Sequence, residues 1–248
     1  MTTHLFENNA LSAIRLRYDR SMKLARHHED KKMIVAIKPQ QWQQATWSDY
    51  ETVRDDASGD ASRRCKLFYH NQRLWIEMGA EGINHAQFSA LFEMIFAMWV
   101  MQNPQYRLAS FRGCQIEKTG YRAAAPDIVV YLGEDIPVWE KGESRFISLD
   151  KWRSPDLVGE ISDTTLAIDL DQKKRLYADL GISEYWVIDV LSDRLFAFQL
   201  DETGTYQQCE TSQVLPNLEI DLLERSLAQM KTQTNTEVAL WFSQQIAK

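Results

Sequence analysis

The sequence predicts a mixed-sheet α/β sandwich, and three observations carry that prediction. From Asn84 to Asp189 the apolar patterning runs helix, strand, strand, strand, helix, strand. Three strands in succession rule out a doubly wound parallel sheet, in which a helix follows each strand. The stretch from Ser154 to Trp186, SPDLVGEISDTTLAIDLDQKKRLYADLGISEYW, reads as strand, polar turn, helix and second strand, and supplies one crossover. With 248 residues, 44% of them hydrophobic and 25% charged, the chain can bury a core of this kind.

Taken in order, residues 1–40 read as an extension. Leu11, Ile14, Tyr18 and Met22 outline a loosely amphipathic helix. From Arg15 to Lys38 eight basic residues face three acids, a local balance of +5. A phosphate-contacting arm and a solvated helix face both fit that pattern. Residues 41–220 form the expected domain and 221–248 a C-terminal helical segment. Ser48, with Glu51 three residues on, reads as the cap of a first helix. Lys66–His70 and Arg73–Met78 flank Asn71-Gln72 as a hairpin. Asn84 then reads as the cap of a helix whose wide apolar face carries Phe88, Leu91, Phe92, Ile95, Phe96, Trp99 and Val100. His85 shares that face, as a capping or packed histidine in one reading and an active-site residue in another.

Tyr106 to Glu117 is strand-like and turns at Lys118-Thr119-Gly120. The strand opening at Pro126 places Asp127, Val129 and Tyr131 on one side. A loop of about twenty residues, 133–152, follows; such length is usually functional or an insertion, and its place between two strands of interest points to substrate contact. In the next strand Asp156, Val158, Glu160 and Ser162 share a face, so Glu160 lies inside an apolar strand and needs compensation. On the helix beyond, Lys173, Leu176 and Leu180 form one stripe, which aims Lys173 inward near the strand end. Asp169, at the start of that helix, reads as a solvated acid. Gly181 stops the helix, Glu184–Asp189 is a buried strand with Tyr185 and Trp186 in the core, and two antiparallel strands and helix complete the chain.

Composition narrows the function. The longest apolar run, Phe88 to Met101, is interrupted by Glu93 and is shorter than the roughly 18 residues of a membrane span. The stretch MTTHLFENNALS lacks a charged n-region followed by an apolar h-region, so no signal peptide is expected there. Cys65, Cys114 and Cys209 are odd in number and far apart, which favours reduced thiols in a cytoplasm. A net charge of −7 excludes a broadly basic nucleic-acid coat but not a local cationic groove.

The strings PDIVV at 126–130 and PDLVGEISDTT at 155–165, Asp169-x-x-x-Lys173-x-x-x-Tyr177-Ala178, and Gly181-Ile-Ser-Glu-Tyr-Trp186 together resemble the Uma2 family of bacterial endonucleases in the PD-(D/E)xK superfamily. The resemblance spans about Lys66 to Leu200. It implies a restriction-endonuclease-like fold with a helix–three strands–helix–strand core. It also implies a Mg²⁺- or Mn²⁺-dependent nuclease acting on nucleic acid, DNA above all, with a homodimer as a partner state. Carried over, Asp127 and Glu160 are metal ligands, with the backbone carbonyl of Ile161 as a third oxygen, and Lys173 helps activate water. Ser162 stands where the superfamily's lysine belongs, and Lys173 on the following helix takes its place, with Lys174 as its neighbour. The family's extra acid on the first helix has no clear counterpart; Glu81 and Glu93 are the candidates. A non-catalytic nucleic-acid-binding or interaction module that keeps the fold is the reading of another class.

Overall fold

The computed structural model describes residues 40–59, 65–78 and 82–247. The basic extension, Glu81 and most of the Gly79–Gly82 loop lie outside these residues. Those described fall in one compact unit, Ile37–Lys248. In chain order the elements are β1 (Gln43–Gln44), α1 (Trp47–Gly59), β2 (Cys65–His70), β3 (Arg73–Met78), α2 (Ile83–Gln102), β4 (Leu108–Arg112), β5 (Ile116–Lys118), β6 (Arg122–Ala124), β7 (Ile128–Leu132), β8 (Ile147–Ser148) and β9 (Leu157–Ser162). A bent helix follows: a turn, α3 (Leu166–Ile168), a π-helical segment (Asp169–Lys173) and α4 (Lys174–Asp179). Then come β10 (Glu184–Asp189), β11 (Arg194–Leu200), β12 (Tyr206–Cys209), α5 (Ile220–Gln229) and α6 (Asn235–Ile246).

The main sheet has the order β12-β11-β10-β9-β7-β4. β9 and β10 are parallel across the helical crossover, and every other neighbouring pair is antiparallel. This is the mixed sheet of a restriction-endonuclease-like core, with α2 ahead of its strands and α3–α4 before β10. One face packs on α2, α5 and α6 through Phe92, Ile95, Phe96, Trp186, Leu223 and Phe242.

A second six-stranded sheet, β1-β3-β2-β6-β5-β8, covers the other face. The sequence reading expected one sheet, with a continuous strand from Tyr106 to Glu117. Gly113, at φ +57°, breaks that run, sending β4 to the main sheet and β5 to the second. Phe68 and Trp75 on the inner face of the hairpin meet Val129, Val158, Tyr177 and Tyr185, while Leu67, Leu74 and Ile76 on its outer face pack under Tyr50 of α1.

The long loop 133–152 is absorbed by the same bridging. It leaves β7 at its C-terminal end and returns to the N-terminal end of β9, both remote from Asp127 and Glu160, and lends β8 to the second sheet beside β5. Two caps also differ from expectation. α1 is capped by Thr46, whose hydroxyl takes the Asp49 N–H (3.2 Å) while the Asp49 carboxylate takes the Thr46 N–H (2.7 Å). α2 opens at Ile83 after Gly82 with no side-chain cap, so Asn84 lies in its first turn.

Candidate active site

The antiparallel pairing of β7 with β9 ends at Ile128–Gly159. One step beyond it, the Asp127 side chain substitutes for a backbone partner: its Oδ2 accepts the Ile161 N–H at 2.8 Å. Its Oδ1 accepts from His85 Nε2 (2.9 Å), from the first turn of α2, and from the ammonium of Lys66 on β2. Burial opposes the charge on Asp127, but the His85 and Lys66 contacts outweigh it and hold its carboxyl well below the usual range.

Glu160 projects from β9 on the face shared with Val158, as the alternation predicts, and is buried. Tyr177 donates its hydroxyl to Oε1, and Lys173 Nζ lies 3.2 Å from Oε2. Burial pushes the Glu160 carboxyl well above its usual range, with Lys173 pulling against it. Lys173 is 1% exposed, and its ammonium also meets Asp169 Oδ1 at 3.0 Å and Glu77 Oε2 at 3.4 Å, above the ring of Phe68. Burial disfavours that ammonium, yet Glu160, then Asp169 and Glu77, override the penalty and keep it charged. The compensation Glu160 required therefore comes from the inward stripe of the crossover helix.

All four candidate side chains thus meet in one place: Asp127, Glu160 and Lys173, with His85 behind Asp127. Ile161 joins them through its backbone. In an extended strand the C=O of a residue projects to the same side as its N–H, so the Ile161 carbonyl lies on the Asp127 edge of β9. Asp169 corrects the sequence reading. It is fully buried, takes the Thr165 hydroxyl at 2.6 Å, and lies in the π-helical segment facing Lys173. Its place at a helix start had suggested solvent, but the crossover helix begins under the second sheet. Glu93 is engaged elsewhere, by the Ser110 hydroxyl at 2.5 Å. Lys174, the neighbour of Lys173, lies over the Phe198 ring instead.

Lys66 and Glu77 were missed, although a signal existed. The two-residue turn Asn71-Gln72, with both residues at positive φ, fixes the hairpin register so that Lys66 sits opposite Glu77 and Phe68 opposite Trp75. Alternation then puts all four on the face turned to the main sheet.

A profile of the Uma2 family, described as "Putative restriction endonuclease", matches residues 47–232, three quarters of the sequence. The chain belongs to the Uma2 family. Among solved structures it is similar to a "putative nuclease belonging to DUF820" from Anabaena variabilis, at 15% identity and a TM-score of 0.46, over 79% of this chain and 98% of that one. A search of curated proteins returned no match. The Uma2 match takes in each candidate side chain, from Lys66 through Lys173, and all of α5, but stops short of α6.

Proposed function

We propose that this Uma2 protein is a divalent-metal-dependent nuclease that hydrolyses phosphodiester bonds, with DNA as its substrate and Mg²⁺ or Mn²⁺ as its cofactor. The observation that carries the reading is the meeting of Asp127, Glu160 and Lys173 at the end of the β7–β9 ladder. The local composition agrees: four acidic side chains, Asp127, Glu160, Asp169 and Glu77, outnumber the two lysines, Lys66 and Lys173. The donors fit a hard ion, since Asp127 and Glu160 offer carboxylate oxygens and Ile161 a carbonyl. No cluster of three His, Cys, Asp or Glu side chains suited to a metal occurs among the described residues. Two carboxylates and a carbonyl are a donor set that Mg²⁺ commonly takes, leaving its remaining positions to water and substrate phosphate.

A bound divalent ion would supply positive charge against the phosphodiester and acidify water at the site. The chain's own groups do the rest. His85 fixes the orientation of Asp127, and Tyr177 fixes that of Glu160. Lys173, held as an ammonium, stabilises negative charge developing on the phosphoryl oxygens and cannot serve as a base while charged.

The test is cleavage of supercoiled plasmid and of single-stranded DNA with Mg²⁺, Mn²⁺ or EDTA. Wild type should cut only with metal. Glu160→Gln and Lys173→Ala, each verified by circular dichroism, should lose about a hundredfold or more. Cutting that persists in both variants would disprove the assignment. Nucleic-acid binding without cutting, indifferent to both substitutions, would favour the non-catalytic module.

A further inference from the structure

We infer that Lys66 is a tethered counter-cation that competes with the divalent ion for Asp127 and, once displaced, takes a backbone phosphate of the nucleic acid. The inference rests on the metal-dependent reading above and adds to it a coupling between metal loading and substrate binding.

Three observations lead there. Asp127 Oδ1 already carries two donors, the Lys66 ammonium and His85 Nε2, which fill its two lone-pair sites, while Oδ2 accepts the single Ile161 N–H that closes the end of the ladder. A carboxylate oxygen so occupied has no good direction left for a cation, so a metal at Oδ1 must dislodge one donor. The two differ in freedom. His85 is fixed at a helix start with its side chain 13% exposed, whereas the Lys66 side chain is 20% exposed on a flexible four-carbon stem. Lys66 is therefore the donor that moves.

Where it can go is also defined. Glu77, its cross-strand neighbour, is already engaged by Lys173, and Glu160 by Lys173 and Tyr177. The remaining carboxylates of the cluster hold the buried Lys173 in place, so the displaced ammonium has its outlet towards solvent. There it meets the chemistry a nuclease site must receive, a phosphodiester anion. Metal and nucleic acid then favour one another: the metal frees Lys66 for a phosphate, and the phosphate gives Lys66 a reason to leave Asp127.

Calorimetric titration tests this with Ca²⁺, an oxygen-seeking ion that reports binding directly. Wild type, Lys66→Met and Lys66→Arg are each titrated with and without a 20-base-pair duplex. Lys66→Met, relieved of the competitor, should bind Ca²⁺ about tenfold tighter than wild type in the absence of DNA, within the usual range of such couplings. Duplex should tighten Ca²⁺ binding to wild type and to Lys66→Arg at least about threefold more than to Lys66→Met. Unchanged or weaker Ca²⁺ binding by folded Lys66→Met overturns the inference and leaves the metal reading intact. Should Lys66→Met fail to fold, the wild-type titrations decide: Ca²⁺ affinity indifferent to duplex overturns the coupling. Absence of Ca²⁺ binding in every form overturns both this inference and the reading it rests on.

Discussion

Tyr177 donates to Glu160 from the same helical stripe that carries Lys173, so one short helix supplies both partners of the buried acid. Removing the hydroxyl alone isolates its share. Tyr177→Phe leaves a buried carboxylate oxygen without its donor and should cost about 1–3 kcal/mol, read as a lower urea midpoint. Paired with Glu160→Gln, the two losses should fall well short of additive, because both residues serve one contact. Asp127 needs the same care. Asp127→Asn keeps an acceptor for the Ile161 N–H and is the variant that tests chemistry, whereas Asp127→Ala also strips the sheet of that bond. Glycines divide in a similar way. A Cβ on Gly159 would meet Ile128 at 3.4 Å, an ordinary packing distance, so Gly159→Ala should be close to neutral in urea. Gly113→Ala would meet nothing but must hold φ +57°, and should cost about 1 kcal/mol.

At the level of elements, the crossover helix is moored at two ends. Lys173 anchors one; at the other, Asp179 of α4 accepts from Arg122 of β6 (2.8 Å) and pairs with His70 of β2 (2.8 Å). Burial lowers the pKa of His70 despite Asp179, and that of Asp179 is lowered by Arg122 and then His70, which outweigh its own burial. For His70 the unfolded chain binds the proton more readily, so stability falls as pH drops through the ordinary histidine range. For Asp179, stability present above the ordinary aspartate range is lost as pH falls through its depressed folded value. Both signs agree. The urea midpoint should decline from pH 8 to pH 5, and His70→Asn should flatten that decline; an equal slope in the variant would remove His70 from the account. The legible and illegible parts of the chain also separate here. The hairpin, the apolar face of α2, and the Lys173–Leu176–Leu180 stripe were readable because each buries one regular face. The split between β4 and β5 was not, because the three residues of β5 carry no period of their own to set them apart from the five of β4. Asp169 escaped because a π-helical segment has the composition of any polar first turn.

Across the whole molecule, the two faces of the main sheet bear different duties. One is covered by the second sheet and the crossover helix and holds the acids and lysines of the site, which His85 reaches from the first turn of α2. The other is a dry core closed by α2, α5 and α6, where Phe242 of α6 is fully buried. Phe242→Ala should therefore cost about 3–5 kcal/mol, or roughly 10 °C in thermal midpoint for a chain of this size, with the Ca²⁺ affinity of the folded fraction unchanged. No helix among the described residues is long and apolar enough to cross a membrane. β4 and β12 are the outer strands of the main sheet, and a homodimer joined through either would double its width. Sedimentation at micromolar concentration, repeated with Arg112→Glu on β4 and with Gln207→Lys on β12, would tell whether either edge is used. Sequence alone foretold the strands of the main sheet and the inward aim of Glu160 and Lys173, but neither the burial of Asp169 nor the covering sheet, since Lys66 and Glu77 gain meaning only when the hairpin is laid across it.

The bond from Ile161 to Asp127 bears on how relatives of this chain are to be judged. A lineage that abandoned cutting would still need an acceptor at the end of the β7–β9 ladder, and selection for folding alone would go on keeping the aspartate. Lys173 and its surrounding acids are locked together in the same manner, each being costly to lose singly. Inherited residues at these positions therefore testify to ancestry and architecture before they testify to an active enzyme. Lys66, part-exposed on a flexible stem, is the position whose loss or retention would carry news about the chemistry.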